Sequence, residues 1–102
     1  MTHEAKVKAS VVKLLKAYGI YYFFPATHGF GRSGVPDIIA CHNSQFLAIE
    51  CKAGKGKTTA LQDKEINKII LAGGVAFVVN EVSIDRLKNY LEGKDIDMEG
   101  RC

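Results

Sequence analysis

Two short acidic motifs constrain the fold of this 102-residue chain more than any other feature. Pro36-Asp37 comes first, and Glu50-Cys51-Lys52 follows after twelve residues. Between the motifs, the sequence predicts two strands, Ile38–His42 and Gln45–Ile49. The polar pair Asn43-Ser44 joins them and is typical of a tight hairpin turn. Both motifs are therefore expected at the same end of one β-hairpin.

The predicted hairpin register brings Asp37 and Glu50 opposite each other. A turn centred between the two strands pairs His42 with Gln45 and continues to the acidic residues. Directly opposed residues of an antiparallel pair have side chains on one face, with Cβ atoms about 4.5–5.5 Å apart. Alternation along the strand adds Lys52 to that face. Two carboxylates and one ammonium group are thus expected to converge.

Two opposed carboxylates in apolar strands repel each other unless a cation binds them. At ~4 Å, a like-charge pair costs on the order of 4 kcal/mol at an effective dielectric constant of about 20. Mg²⁺ suits such a site because it prefers oxygen ligands, keeps several waters and binds carboxylates together with substrate phosphates. Asp37 and Glu50 are therefore predicted to bind Mg²⁺, with Mn²⁺ able to substitute. The alternative is a surface ion pair between Glu50 and Lys52, with Asp37 simply following a turn proline.

Charge and cysteine content say little about partners but favour a reducing compartment. The formal net charge is +3 and the isoelectric point is about 8.8, whereas a value above about 9 would by itself indicate nucleic-acid binding. The three cysteines are odd in number, and no signal peptide or long apolar run is visible. We therefore expect a cytoplasmic protein. The length favours a single domain over residues 1–102.

The remaining pattern predicts the element order αβββαβα. Apolar residues at helical spacing predict a first helix over His3–Tyr18 and another from about Thr59 to Ala72. The aromatic run Ile20–Phe24 is predicted to be a strand that is either internal and buried on both faces or covered by a partner. The other predicted elements are a glycine-rich loop over Thr27–Gly34, a loop over Ala53–Lys57, a strand over Val75–Asn80 and a helix opened by Ser83 and Asp85. A hairpin followed by a strand–helix–strand crossover gives a mixed sheet flanked by helices.

The motifs and their order resemble the PD-(D/E)XK nuclease superfamily. Gly34-Val35-Pro36-Asp37, Glu50-Cys51-Lys52 and Gln62 occur in an αβββαβ order, and the pattern is most similar to the VRR-Nuc domain, the virus-type replication-repair nuclease. The resemblance covers nearly the whole chain, from Glu4 to the fourth strand. It implies a restriction-endonuclease-like α/β core and metal-dependent hydrolysis of DNA phosphodiester bonds.

The resemblance also implies roles for individual residues. Asp37, Glu50 and the backbone carbonyl of Cys51 would bind the metal ion. Lys52 would orient or activate the attacking water, and Gln62 would complete the catalytic site. In such a site the cation would neutralise the scissile phosphate and lower the pKa of a bound water.

Glu4 and Gln62 also stand out by their positions. Each residue lies one helical turn before a stripe of apolar residues, on the same face of the helix as that stripe. A side chain in this position can reach a buried site. Glu4 is therefore a possible further metal ligand, although an acid in a first helical turn is also favoured by the helix dipole. Gln62 can equally form a capping box with Thr59.

The loops on either side of the acidic residues are predicted to contact nucleic acid. Phe30 and Arg32 lie on one loop, and Lys55 and Lys57 lie on the other. Glycines in both loops let backbone N–H groups approach phosphates. The alternative is that these are ordinary surface loops with solvated lysines.

One acid cluster can cut only one strand, so a symmetric four-way (Holliday) junction requires two sites related by a two-fold axis. So small a chain has little surface for reading a DNA sequence, so we expect it to select branched DNA by structure. The resemblance to stand-alone phage-type VRR-Nuc proteins favours a homodimer with Tyr21–Phe24 as the interface, and implies a phage-encoded protein that acts in the bacterial host cell. Two other functions stay open. The chain could be a catalytically silent nucleic-acid-binding module, or a restriction-type or RNA-directed nuclease with the same metal site.

Overall fold

The structure is a computed structural model that describes residues 1–26 and 33–94. The elements are α1 (His3–Ala17), β1 (Tyr21–Phe23), β2 (Ile38–His42), β3 (Gln45–Cys51), α2 (Ala60–Leu71), β4 (Val75–Val79) and α3 (Ile84–Leu91). This is the predicted order. None of these helices is both long and apolar enough to span a membrane.

The strands form one mixed sheet in the order β1-β2-β3-β4. The first three strands pair antiparallel, whereas β3 and β4 are parallel and are connected through α2. Helices α1 and α3 pack on one face of the sheet, where Val11, Leu15 and Leu87 are fully buried. Helix α2 packs on the other face through Ile66, which contacts a small cluster that includes Ala48. The predicted restriction-endonuclease-like α/β fold is confirmed.

The turn between β2 and β3 determines where the acidic motifs lie. Asn43 and Ser44 have φ angles of 49° and 67°, as a two-residue type I′ turn requires. His42 pairs with Gln45, and the ladder continues to the far end of the hairpin. The predicted register is therefore confirmed, and β3 runs two residues further than predicted, to Cys51.

Of the two alternatives for the aromatic run, an internal strand buried on both faces is wrong, because β1 is a three-residue strand at the edge of the sheet. Tyr21 is 71% exposed and Phe23 is 47% exposed, while Tyr22 packs against the core on the opposite face. Helix α2 packs over Ala48 and Ala76 of β3 and β4. Helix α2 leaves the corresponding face of β1 uncovered. The alternative that remains is that a partner covers this face.

One smaller difference concerns the start of α3. Helix α3 begins after Ser83 as predicted, but the Ser83 hydroxyl accepts the backbone N–H of Asn80 at 2.9 Å instead of capping the helix. Residues 27–32 of the predicted glycine-rich loop over Thr27–Gly34 lie outside the described residues, as do residues 95–102.

Candidate active site

Asp37 and Glu50 lie side by side at the open end of the hairpin. Each carboxylate accepts a hydrogen bond from a backbone N–H of the segment that carries the other. The backbone N–H of Asp37 donates to Glu50 Oε1 at 3.2 Å. The backbone N–H of Cys51 donates to Asp37 Oδ2 at 2.9 Å. Hydrogen bonds to ionised acceptors are stronger than neutral ones. This reciprocal pair of bonds therefore fixes both carboxylates where the register placed them.

Glu50 receives two further donors on its other oxygen. Gln62 Nε2 donates to Glu50 Oε2 at 2.8 Å, and Lys52 Nζ lies 3.3 Å from the same oxygen. Glu50 is only 3% exposed and the Lys52 side chain 13%. The ion pair is therefore buried, and the alternative of a surface pair between Glu50 and Lys52 is wrong. A buried carboxylate requires such partners, because an unpaired buried charge is costly.

Gln62 makes both of the contacts that the sequence suggested, one with the start of α2 and one with the acid pair. Its Oε1 accepts the backbone N–H of Thr59 at 2.9 Å, and its own N–H donates to Thr59 Oγ1 at 3.2 Å. This is a complete capping box at the start of α2. Because the oxygen is used by the cap, the amide nitrogen is left to donate to Glu50. The two interpretations are compatible, since each uses a different end of the amide.

The electrostatics of the site follow from burial and from the proximity of the two acids. Burial raises the pKa of Glu50, and the negative charge of Asp37 raises it further. The hydrogen bond and positive charge of Lys52, and the backbone N–H of Asp37, act in the opposite direction. A nearby cation would also favour the charged form of Glu50.

The Cys51 thiol is buried, and its pKa is raised to about 12. Desolvation is the largest cause, and the negative charges of Asp37 and Glu50 add to it. It points into the core shared with α1 and α3. A neutral thiol is a poor metal ligand, since the thiolate is the binding form. Only the backbone carbonyl of Cys51 is then suited to bind a hard cation, as the resemblance implied.

Helix α1 approaches the site from the other face of the sheet. The charge of Glu4 raises the pKa of the Cys51 thiol, and that of Lys8 lowers it. Glu4 is exposed. In residues 1–26 and 33–94, no group of three or more His, Cys, Asp or Glu side chains is placed to hold a metal ion. The structure thus brings Asp37 and Glu50 together but does not add Glu4 to them.

Lys8 is a residue near the site that the sequence analysis missed. It follows Glu4 by four residues, so both share one helix face, and this spacing could have indicated it. Its Nζ lies 4.4 Å from the centre of the half-exposed Phe24 ring. A cation over an aromatic face is held in place by the ring quadrupole.

The loop after β3 carries the two predicted basic contacts. The N–H of Gly54 donates to Glu81 Oε1 at 2.8 Å, and Asn80 Nδ2 donates to the Gly54 carbonyl at 3.4 Å. These bonds anchor the loop to the end of β4. Lys55 and Lys57 remain exposed beyond the anchor. Phe30 and Arg32, the predicted contacts on the other loop, lie outside the described residues.

The mixed sheet, with its acid pair and the lysine that follows on the same strand, has the architecture of the PD-(D/E)XK nucleases. A model of the archaeal Holliday junction resolvase family (Hjc) matches residues 5–88, and the chain belongs to this family. The match confirms the superfamily and the nuclease class that the motifs indicated, although it does not show the VRR-Nuc branch in particular. No match is found among the curated proteins.

Proposed function

We propose that the chain is a metal-dependent endonuclease that hydrolyses the phosphodiester bonds of branched DNA, above all four-way junctions. The observation that carries this proposal is the buried Glu50 carboxylate beside Asp37, with the Lys52 ammonium 3.3 Å from it. A silent binding module has no need of such a group, whose charge is disfavoured by burial. The Hjc family supports junctions as the substrate. The VRR-Nuc branch would be a narrower assignment within the same superfamily.

The residues of the site fit a hard divalent cation. Asp37 and Glu50 offer carboxylate oxygens, and Cys51 offers a carbonyl oxygen at the end of β3. Mg²⁺ prefers such ligands and retains waters when few are provided, and Mn²⁺ favours the same oxygen donors. When bound, the cation supplies charge stabilisation at the scissile phosphate and a more acidic water.

The chain's own residues then have separate tasks. Glu50 and Asp37 would hold the cation, and their positions are maintained by backbone N–H groups. Lys52 orients the attacking water and offsets the negative charge that develops on the phosphate. Gln62 holds Glu50 Oε2 in one orientation through its amide nitrogen. Lys55 and Lys57, on the loop that follows β3, bind phosphates of the DNA backbone.

Mg²⁺ or Mn²⁺ is expected to raise the melting temperature at neutral pH. A cation that binds only the folded state stabilises it by about 2.7 kcal/mol at a hundredfold excess over Kd. For a domain of this size that is a shift on the order of 10 °C. Differential scanning fluorimetry with EDTA as the reference measures it, and Asp37→Asn should lose most of the shift. A wild type without a shift, and without calorimetric binding when DNA is present, would contradict the metal site.

A cleavage panel tests the substrate. Four-way junctions, flaps, linear duplexes and single-stranded RNA are incubated with Mg²⁺ or Mn²⁺, and the initial rates are compared. Faster cleavage of junctions than of duplexes supports the proposal. Similar rates on duplex and junction would favour a restriction-type nuclease, and preferred cleavage of RNA would favour an RNA-directed one. Binding without any cleavage would favour the silent module.

We also propose that two chains form the working enzyme through an apolar face of the sheet. Tyr21 pairs with Cys41, and Cys41 pairs with Phe46, so these three side chains share one face. Tyr21, Phe23 and Phe46 are 71%, 47% and 49% exposed. Clustered exposed apolar side chains mark interaction sites. A two-fold pair would supply one acid site for each of two strands.

Phe46→Lys is expected to convert a dimer into a monomer and to remove paired cleavage of junctions. A lysine at the centre of an apolar interface should weaken dimerisation by about 2 kcal/mol or more, roughly 30-fold. Val82→Lys is the control, because Val82 is 84% exposed in the turn before α3, away from this face. Light scattering and counting of paired nicks provide the readouts. A wild type that is only an 11.2 kDa species at micromolar concentration, and that cuts duplex and junction equally, would contradict the dimer.

The cytoplasmic setting is part of the same proposal. Cys41 and Cys51 are free thiols, and Cys41 is exposed on the apolar face. Exposed free thiols are typical of reducing compartments. The same proposal treats residues 1–102 as one nuclease domain.

A further inference from the structure

Gly34 lies closer to the first turn of α2 than a residue with a Cβ could. Its φ is +83°, and a Cβ at this position would lie 2.5 Å from the carbonyl carbon and oxygen of Leu61 and 2.8 Å from the nitrogen of Gln62. These are backbone atoms, which cannot rotate away as a flexible side chain can. The segment that leads to Asp37 is therefore packed directly on the helical turn that carries Gln62.

A second contact determines which end of the Gln62 amide faces the site. The backbone N–H of Thr59 donates to Gln62 Oε1 at 2.9 Å, and Gln62 Nε2 then donates to Glu50 Oε2 at 2.8 Å. The N–H of Thr59 belongs to the backbone at the start of α2 and has no rotamers. It therefore holds the amide with its donor, rather than its acceptor, towards Glu50.

We propose that Gly34 and the backbone N–H of Thr59 are positioning groups for the nuclease reaction. Gly34 sets how closely α2 approaches the site, and Thr59 sets the orientation of the Gln62 amide. Together they hold the Glu50 carboxylate through Gln62, although neither of them touches the reacting atoms. The inference rests on the proposed function, because its consequence is the rate of phosphodiester hydrolysis.

A double-mutant cycle tests the Gly34 contact. Wild type, Gly34→Ala, Gln62→Ala and the double variant are compared for kcat and KM on a four-way junction with Mg²⁺. Loss of one hydrogen bond to a charged group should lower kcat roughly tenfold in each single variant, with KM little changed. If Gly34 acts through Gln62, the double variant loses no more than about twofold beyond the single variants. Losses that multiply to roughly a hundredfold would overturn the proposal.

Gly93→Ala is the matched control for backbone strain. Gly93 has a φ of +76°, close to that of Gly34, but a Cβ there would have no heavy atom within 4 Å. The substitution therefore introduces the same left-handed strain without the clash. We expect Gly93→Ala to lower the melting temperature by several degrees and to leave kcat unchanged. A loss of kcat as large as that of Gly34→Ala would attribute the effect to strain alone and overturn the proposal.

A pair of substitutions at Thr59 tests the amide orientation and does not depend on the folding of Gly34→Ala. Thr59→Ala removes the hydroxyl cap but keeps the backbone N–H, whereas Thr59→Pro removes both. The φ of Thr59 is −83°, close to the range that proline adopts. Thr59→Pro is expected to have a kcat roughly tenfold below that of Thr59→Ala. Equal kcat values in two folded variants would overturn the role of the Thr59 N–H.

An unfolding cycle in EDTA separates this inference from the proposed function. Urea denaturation gives the stability of the same four Gly34 and Gln62 variants without any catalysis. The inference predicts that Gly34→Ala destabilises the Gln62→Ala protein less than the wild type, because the bond it breaks is already absent. Additive losses of unfolding free energy would overturn the inference that Gly34 acts through Gln62. A wild type that cleaves nothing would overturn the proposed function, whatever the unfolding cycle shows.

Discussion

Asp37→Asn is expected to abolish cleavage while leaving the fold and DNA binding intact. Asparagine has nearly the same volume as aspartate, and its Oδ1 can accept the Cys51 N–H that now donates to Asp37 at 2.9 Å. The substitution therefore removes a charged metal ligand and keeps the bond that holds the segment. We expect turnover to fall by roughly 10³-fold or more, since the bound cation supplies several kcal/mol of transition-state stabilisation. Single-turnover kinetics on a junction, with circular dichroism and a DNA-binding assay, measure both parts.

Glu50→Gln should abolish cleavage too, but it is a less clean substitution. Glu50 accepts hydrogen bonds from the Asp37 N–H and Gln62 Nε2 and pairs with Lys52 Nζ. A glutamine amide nitrogen at this position must face at least one of these donors, whichever way the amide is turned. Glu50→Gln is therefore expected to lower the melting temperature as well as the rate. Turnover retained by purified Asp37→Asn protein would refute the site.

The acid pair could be predicted from the sequence because a short turn leaves the two strands little freedom in how they pair. A two-residue loop at Asn43-Ser44 fixes the register of the strands on both sides. Once His42 is paired with Gln45, the position of Asp37 relative to Glu50 follows from counting. The prediction needed no information about the rest of the fold, and the structure has the same register.

Features that depend on how elements pack could not be predicted in the same way. The aromatic run around Tyr22 has the same sequence pattern whether its outward side is covered by a helix or by a partner. Which of the two covers it depends on where α2 lies across the sheet. In the sequence, Gly34 stands out only as part of a motif, because its contact with Leu61 and Gln62 arises between segments distant in the sequence. Glu4 has the spacing of a site residue, yet its helix lies on the other face from Gln62.

Gln62 shows why competing interpretations of a pattern need not exclude each other. The sequence offered a capping box with Thr59 or a catalytic role at the site. A glutamine amide has an acceptor and a donor about two ångströms apart, and the structure uses the acceptor for the cap and the donor for Glu50. Local helix chemistry and the geometry of the site therefore favour the same residue.

Lys52→Met is expected to reduce turnover severely while metal binding is retained. The substitution keeps the apolar stem of a side chain that is only 13% exposed and removes its charge. If Lys52 orients the attacking water and offsets charge on the phosphate, kcat should fall roughly 10²–10³-fold, as for loss of one preorganised donor. Because Lys52 is not a ligand, the rise in melting temperature with Mg²⁺ should persist. Removal of the positive charge beside Glu50 also leaves this carboxylate without a competing cation.

Lys55→Met is the matched control for this experiment. Lys55 is exposed on the loop that follows β3, where the proposed function gives it a contact with phosphate. Its loss should raise KM and weaken the dependence of binding on salt, with kcat nearly unchanged. Single-turnover rates, KM at two salt concentrations and the Mg²⁺-induced shift in melting temperature distinguish the two lysines. A Lys52→Met protein that keeps kcat within about threefold of wild type would remove Lys52 from the reaction, because such a ratio corresponds to less than about 0.7 kcal/mol of transition-state stabilisation.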